Sequence, residues 1–500
     1  MRITAPVPPP GAPDAPDLNS TYPPPTDTDT GGAAARRYHA RYGSVLPTID
    51  PAADSTAPKH HPGAPVLPLP FPPAFPSPPP ADHGPAASLE CMGALFALLN
   101  GVTRVDWTDA GVGAGRPVPS GGGAYPAEVY AASAAGLCHY LPSAHALELL
   151  SPADLRADLT RSLDRPPHER PRWVLLITSR LDANVARYGP FGHRLQALDT
   201  GVLTGQALTL LESAGAAPLA HARFADEELG RLLGLDPAAE RVHAVVTART
   251  PGALAPDAPL LRRRTARSGF EPVPVSSAAL LAVLEEAARP VPLDHAVPAD
   301  CDPADYDPAD CDLADCDLAD CDLYVVAHRV TGLAPGCHRR DARTGRLVPV
   351  TGDATPRGLF LPGGPGELAG FEAACAVLVT GDYEAGYRAY GDRWYRMLNL
   401  RAGVIGQRIG LAAARAGLGA GLRCDVHTPA ADAVLRAHPD RTTLLAALLG
   451  QERGSGTPAC HLFHPEARED PEAREDPAGS EDPAGPEDPS VPPPARPRTQ

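Results

Sequence analysis

Five hundred residues permit two or three domains, and 62 prolines with 47 glycines mean that part of the chain is not packed core. The formal charge of −16 comes from two stretches, the tail from Pro465 to Gln500 and the eleven aspartates between Asp294 and Asp322. The remainder is about neutral, which excludes the basic footprint of a nucleic-acid binder, and no apolar run reaches the ~20 residues of a membrane span.

No apolar segment follows Met1-Arg2-Ile3-Thr4, so no signal peptide is read. Four of the ten cysteines (301, 311, 316 and 321) sit inside one repeat and the others are scattered, which predicts reduced thiols in a cytoplasmic protein. Lys59 is the sole lysine, a compositional trait of a high-GC genome.

In chain order, residues 1–84 form a Pro-rich arm in which Ala35 to Leu46 predicts a short helix and Leu67-Pro68-Leu69-Pro70 reads as linker rather than as an arm against the fold. Leu89, Met92, Leu95, Leu98 and Leu99 recur with helical period over Ser88 to Leu99. A glycine- and proline-rich turn and strands follow, as far as Leu150. Trp173 to Thr178 is a continuous apolar run of strand length. Leu198 to Gly215 predicts a helix with Gly215 as its cap. Glu227 to Leu235 predicts a further helix and Val242 to Thr247 a strand. A second unit opens at Leu261, with a helix over Ala278 to Ala288, strands over Leu323 to Val330 and Ala374 to Thr380, a helix over Leu398 to Gly417, and a last apolar helix or strand over Thr442 to Leu449. This gives domains at 85–250 and 258–460, an acidic loop at 294–322 and a disordered tail at 465–500.

The two units are copies. Tyr188-Gly189 matches Tyr390-Gly391 at an offset of 202 residues, and the same offset pairs Leu176 with Leu378, Thr178 with Thr380, Arg194 with Arg396, Leu198 with Leu400, Gly201-Val202 with Gly403-Val404 and Ala214-Gly215 with Ala416-Gly417. Register held without a gap through a strand, a loop and a helix is the mark of a tandem duplication.

The turn runs Arg116-Pro-Val-Pro-Ser-Gly-Gly-Gly-Ala-Tyr-Pro-Ala-Glu-Val-Tyr130. Glycine lets backbone approach a flat or charged ligand closely and adopt positive φ, while the prolines stiffen the turn. Most such turns are only turns. The wording Arg116-x-x-Pro119-Ser120-Gly121-Gly122-x-x-Tyr125-Pro126-x-Glu128-x-Tyr130, however, resembles the nitroreductase-like flavoproteins, closest the SagB-type peptide azoline oxidases. Gly136-Leu137-Cys138-His139-Tyr140 and His145-Ala146-Leu147-Glu148 are similar to that family's next strand pair, and Tyr38-His39 to a common opening of its first domain. The resemblance covers Ser88 to Ala248 and, more loosely, Leu261 to Gly450. It implies an α+β fold of two tandem nitroreductase-like domains forming a pseudo-dimer, an FMN cofactor, a peptide or small-molecule substrate and a cyclodehydratase partner. It also implies cofactor contacts from Arg116, Pro119, Ser120, Gly121 and Gly122 in the first unit and from Gln407 in the second.

Arg262 to Phe270 resembles the family's phosphate-binding opening, Arg-Arg-Ser-x-Arg-x-Phe. Arg263, Thr265 and Arg267 alternate, so an extended segment turns two guanidiniums and a hydroxyl to one side, as a phosphate dianion requires; the plainer reading is a solvated basic run. Arg36 to Arg41 is only a dim echo of it, and at the place of the glycine turn, before Leu323, the second unit carries the Cys-Asp-x-Ala-Asp repeat. Each half thus lacks what the other retains, which implies one composite flavin site. The repeat has a period of five, no histidine and no spacing that closes a tetrahedral site, so it reads as a solvated acidic loop and not a metal centre.

In azoline oxidases a Lys-Tyr pair before the long helix is proposed to act as general base. Here Arg187-Tyr188 stands there, with Ala389-Tyr390 in the second copy. Arginine does not release a proton, so the residue assigned proton transfer is Tyr188, whose plainer role is a packed aromatic. His193 is a further acid–base candidate, while His145 reads as a turn residue. Two other readings stay open: a silent scaffold or partner subunit that kept the fold, and an NAD(P)H-consuming reductase, although no Gly-x-Gly-x-x-Gly fingerprint is present.

Overall fold

The computed structural model describes residues 31–43, 58–71, 85–108, 111–248, 254, 260, 263–266, 268–295, 321–436, 441–454 and 459–462. Two antiparallel sheets of seven strands dominate it. The first runs Val66–Pro68, Ala146–Ser151, Gly136–Leu141, Ala127–Ser133, Trp173–Arg180, Glu240–Ala248 and Leu219–His221 from edge to edge. The second runs Phe270–Glu271, Arg441–Glu452, Cys375–Asp382, Cys321–Ala327, Gly336–Arg340 and Leu347–Thr351, with Gly419–Arg423 also paired to Arg441–Glu452.

The central strands are apolar without alternation because both of their faces are covered. Trp173, Leu175 and Ile177 face a core shared by the two halves, and Val174 and Leu176 face an outer core with Leu159, Phe224 and Leu229. The second half repeats the arrangement: Cys375, Val377 and Val379 turn inward, and Ala376 and Leu378 turn to Phe360, Ala431 and Leu435. Side-chain alternation with a period of two thus feeds two cores from one strand.

Between the sheets lie two long helices, Gly192–Ser213 and Arg393–Arg415. A Cβ on Gly201 would stand 2.0 Å from the carbonyl oxygen of Leu400, and one on Gly403 would stand 2.2 Å from that of Leu198. These four positions are related by the same offset of 202, so the crossing is isologous: each helix offers its partner the same bare patch. The copies match in detail. A register shift falls between Ile177 and Thr178 in one sheet and between Val379 and Thr380 in the other. Gly189 has φ 55°, ψ −146° and Gly391 has φ 55°, ψ −145°. Gly215 and Gly417 both have φ 70°.

Three expectations are corrected or sharpened. The Leu67–Pro70 stretch is no linker: Val66, Leu67 and Pro68 pair antiparallel with Glu148, Leu147 and Ala146, where proline is tolerated because the strand is at the edge. Arg441–Glu452 is a strand, the pleat putting Leu445, Ala447 and Leu449 in the shared core and Ala446 and Leu448 in the outer one. The long helices begin earlier than their apolar stripes, at Gly192 and Arg393, because buried arginines and aromatics such as Arg194 and Trp394 fill their first turns. Residues 1–30, the repeat from Ala299 to Asp320, Arg267 and the 465–500 tail lie outside the described residues.

Gly403→Ala should destabilise the protein although alanine is the better helix former by ~1 kcal/mol, because the new methyl meets backbone oxygen and not a movable side chain. A net loss of about 1–3 kcal/mol in chemical denaturation is expected. Gly230→Ala, on a helix where a Cβ meets nothing within 4 Å, should be neutral or slightly stabilising.

Candidate functional site

The glycine turn is held from beneath by a carboxylate. Asp199, one turn into the first long helix beyond Leu195, accepts a hydrogen bond from Ser120 Oγ (2.8 Å) and another from the Gly121 amide (3.2 Å), and Ser120 Oγ in turn accepts from the Tyr125 amide (2.9 Å). Burial pushes the Asp199 carboxyl up to about 6, with Ser120 and Gly121 pulling the other way. Gly122, Gly123 and Tyr125 take positive φ of 59°, 71° and 46°. Gly122 has no alternative: a Cβ there would lie 2.3 Å from Tyr188 Oη and 2.9 Å from Arg187 Nε.

Arg116 braces the turn from behind. Its guanidinium donates to Asn100 Oδ1 (3.0 Å) and lies over the Tyr125 ring at 4.7 Å, while Asn100 Nδ2 donates to the Ala127 carbonyl (3.3 Å). Tyr188 and Arg187, at the end of the helix Leu181–Tyr188, close the other side of the turn. Burial raises the Tyr188 hydroxyl above its ordinary value, against the lowering effect of Arg187. Arg187 Nε is buried without a hydrogen-bond partner.

From the second half, Arg263 reaches the same turn. It is 6% exposed and its Nε donates to the carbonyl oxygen of Pro117 at 2.6 Å. Thr265 forms a parallel bridge to Ala420 and the Ala266 amide donates to the Ala420 carbonyl (2.9 Å), so the arginine segment lies along the strand Gly419–Arg423. Next to it opens a cavity of ≈ 320 Å³ bordered by Arg263, Arg264, Gly419, Glu452, Arg453 and Gly454. Arg264 pairs with Glu452 (3.2 Å) and Arg453 with Glu372 (2.8 Å). Arg453 was not singled out by sequence; its signal would have been its place directly after the last strand, beside the arginine segment.

The residues expected to form one site therefore separate into three groups. Pro119, Ser120, Gly121, Gly122, Arg187 and Tyr188 are assembled at the turn, and Arg263 joins them from the other half. Gln407 lies in the helix crossing, its Nε2 bonded to Gln206 Oε1 (2.7 Å) and its own Oε1 buried without a partner. His193 stands edge-on to Tyr38, ring centroids 6.2 Å apart, and so is brought to the N-terminal segment. Arg36 of that segment pairs with Glu384 and lies over Tyr387, not at the turn.

The twofold-related place in the second half is built otherwise. Arg289-Pro-Val-Pro292 repeats Arg116-Pro-Val-Pro119 letter for letter, and then Leu293-Asp294 replaces Ser120-Gly121. The acidic repeat expected there lies outside the described residues; what is described at this place is Leu293-Asp294, for which the four-residue identity was the signal. Leu293 forms a parallel bridge to Ala220, and the Asp294 carboxylate accepts from the amides of Ala222 (3.1 Å) and Arg223 (3.0 Å). Leu293 and Asp294 are fully buried. They lie along the strand Leu219–His221 as Thr265 lies along Gly419–Arg423, so the chain itself fills this place. Tyr390, the counterpart of Tyr188, is stacked on Trp394 at 5.5 Å.

No family model matches the chain. Among curated proteins, the microcin B17-processing protein McbC of Escherichia coli is 27% identical over 134 residues, covering 24% of this chain and 49% of that one, so the chain spans about half the length of the relative it matches. Among solved structures, a protein assigned to the nitroreductases from Anabaena variabilis superposes with TM-score 0.69 at 22% identity, over 84% of this chain and 99% of that chain. The E. coli microcin synthetase McbBCD complex, with truncated pro-MccB17 bound, aligns over 43% of this chain and 81% of that one at 18% identity, with a TM-score of 0.29 that carries no argument.

The Asp199 carboxyl yields a pH test. Its folded pKa lies above the usual 3.8, so the folded state holds this proton more tightly than the unfolded one, and its contribution to stability falls as pH rises from about 4 to about 6. Wild-type stability relative to Asp199→Asn should therefore drop by roughly 2 kcal/mol between pH 4 and pH 7; urea melts at the two pH values measure it, and a flat difference refutes it.

The match with the Anabaena protein along nearly its whole length, together with the duplicated sheets and the helix crossing, establishes that this chain carries the nitroreductase-like α+β fold as an internal pseudo-dimer.

Proposed function

We propose that the chain is an FMN-dependent oxidoreductase with a single composite site. The observation that carries this reading is the 2.6 Å bond from Arg263 Nε to the Pro117 carbonyl, which joins the arginine segment of one half to the glycine turn of the other. The residues suit the cofactor. A turn of glycines lets backbone approach a flat ring edge, the unpartnered Arg187 Nε offers a donor beside it, and the arginine-bordered cavity suits a phosphate. Ser120, Gly121 and Gly122 would back the ring, and Arg263, Thr265 and Arg267 would hold the phosphate end, with Arg453 at its rim. Bound FMN supplies hydride transfer; the protein's own part is to orient the ring, exclude water and handle one proton.

The Tyr188 hydroxyl is assigned that proton, because Arg187 does not release one. The likeness to the microcin-processing protein supports a peptide substrate, with oxidation of azolines to azoles in a ribosomal peptide pathway beside a cyclodehydratase partner. A second reading draws on one observation: burial keeps Tyr188 protonated, which suits proton donation during reduction of a substrate. Tyr188→Phe should slow turnover by about 10²–10⁴ and leave flavin content unchanged; loss of flavin with activity would make Tyr188 structural.

Purified protein should be yellow and carry close to one flavin per chain after gel filtration, since Leu293 and Asp294 fill the other place. Arg263→Ala with Arg267→Ala should release FMN although the first half is untouched. A ratio near two, or full flavin in the double variant, would overturn the composite site; a colourless protein that FMN does not reconstitute would favour the scaffold reading.

A further inference from the structure

On the outer face of the first sheet, away from the glycine turn, Tyr130, His139 and Glu148 stand side by side across three strands, Tyr130 paired with His139 and His139 with Glu148. The segment Lys59-His60-His61 is laid over them. The His61 amide donates to both Glu148 oxygens (3.1 and 3.3 Å), His60 Nδ1 contacts Glu148 Oε1, and Lys59 Nζ is paired with Glu240. His139 and Glu148 are fully buried. His61, His139 and Glu148 each bring one ligand atom to within 4.8 Å of the others, the one such triad among the described residues.

Two features distinguish the triad from an ordinary buried ion pair. First, His61 Nε2 is buried and has no hydrogen-bond partner, a costly arrangement unless another group takes its lone pair. Second, His139 is already set as a supported metal ligand: Nδ1 faces Glu148 (2.9 Å) while Nε2 faces the Glu128 carboxylate (3.3 Å). A carboxylate behind a ligating imidazole fixes the tautomer and raises basicity. The carboxylates agree with this: Glu128, Glu148 and Glu240 converge here, with Lys59 on Glu240 and Arg180 at 3.9 Å from Glu128.

We propose that His61, His139 and Glu148 bind one divalent transition-metal ion, zinc by the two-imidazole and one-carboxylate donor set, with half-exposed His60 or water in the fourth position. Two imidazoles disfavour Mg²⁺ and Ca²⁺, which prefer oxygen. Zinc donors stand roughly 2.0–2.2 Å from the ion, so the triad contracts by a swing of the His61 ring, which sits on a surface segment. The ion would clip the 58–71 segment onto the sheet, whose edge that segment supplies as Val66–Pro68.

The test uses the full chain after dialysis against a chelator, titrated with zinc chloride alone by calorimetry, with metal content measured after gel filtration. Wild type should bind one zinc per chain and melt at a higher temperature with it. His61→Ala, on the surface segment, should weaken binding at least tenfold and abolish the zinc-dependent rise in melting temperature; Glu148→Gln should do the same. Wild type that binds no zinc above background overturns the proposal. So does a His61→Ala protein that binds one zinc as tightly as wild type, which would place the ion elsewhere, on the Cys-Asp repeat for instance.

Discussion

Everything in this molecule depends on how closely two helices approach. Gly201 and Gly403 remove the side chains that would hold Gly192–Ser213 and Arg393–Arg415 apart, and each bare patch receives the backbone of the other helix near Leu198 or Leu400. Packing at backbone distance fixes the sheets relative to each other, since both send alternate residues into the core around these helices. It also fixes how far a residue of one half must reach to touch the other. Arg263 spans that gap to Pro117, and a helix pair spread by even a methyl group would move the arginine segment off the glycine turn.

The twofold relation is kept in the scaffold and broken at the ends of the strands. Bulges, positive-φ glycines and helix caps repeat at one offset, because each is demanded by the fold. The segments that follow the first helix of each half are free of that demand. In one, Ser120-Gly121 leaves an open turn supported by Asp199; in the other, Leu293-Asp294 turns inward and satisfies two backbone amides with its carboxylate. The glycine turn at one end is matched at the other by a segment packed against the strand Leu219–His221.

Much of this was legible in the sequence. Continuous apolar runs of strand length found the central strands, the period-3.6 pattern found the long helices, and the 202-residue offset found the duplication, because those signals come from burial. Less was legible where polar side chains do the positioning. Asp199 reads as one more polar residue in a helix, and only its place beneath Ser120 gives it meaning. Leu67–Pro70 resembles a linker by composition, yet pairs with Leu147 and its neighbours. The Arg-Pro-Val-Pro repeat at 289–292 was present in the sequence but obscured by the acidic repeat that follows it, and His61 meets His139 only through folding of a distant segment.

The buried Asp294 bears on how this gene has been free to change. Beyond it, residues 296–320 lie outside the described residues, and the chain is described again as the strand beginning at Cys321. Both ends are held by contacts among described residues: Asp294 by the amides of Ala222 and Arg223, and Cys321–Ala327 by pairing with Cys375–Asp382. Lengthening a connection between fixed ends costs only about 0.6 kcal/mol for each doubling. A five-residue repeat that slips at the DNA level between these ends therefore meets little thermodynamic resistance. The same insertion after Ser120 would have torn open the turn. The filled half has become the tolerant half, and its repeat number is a natural place for closely related strains to differ.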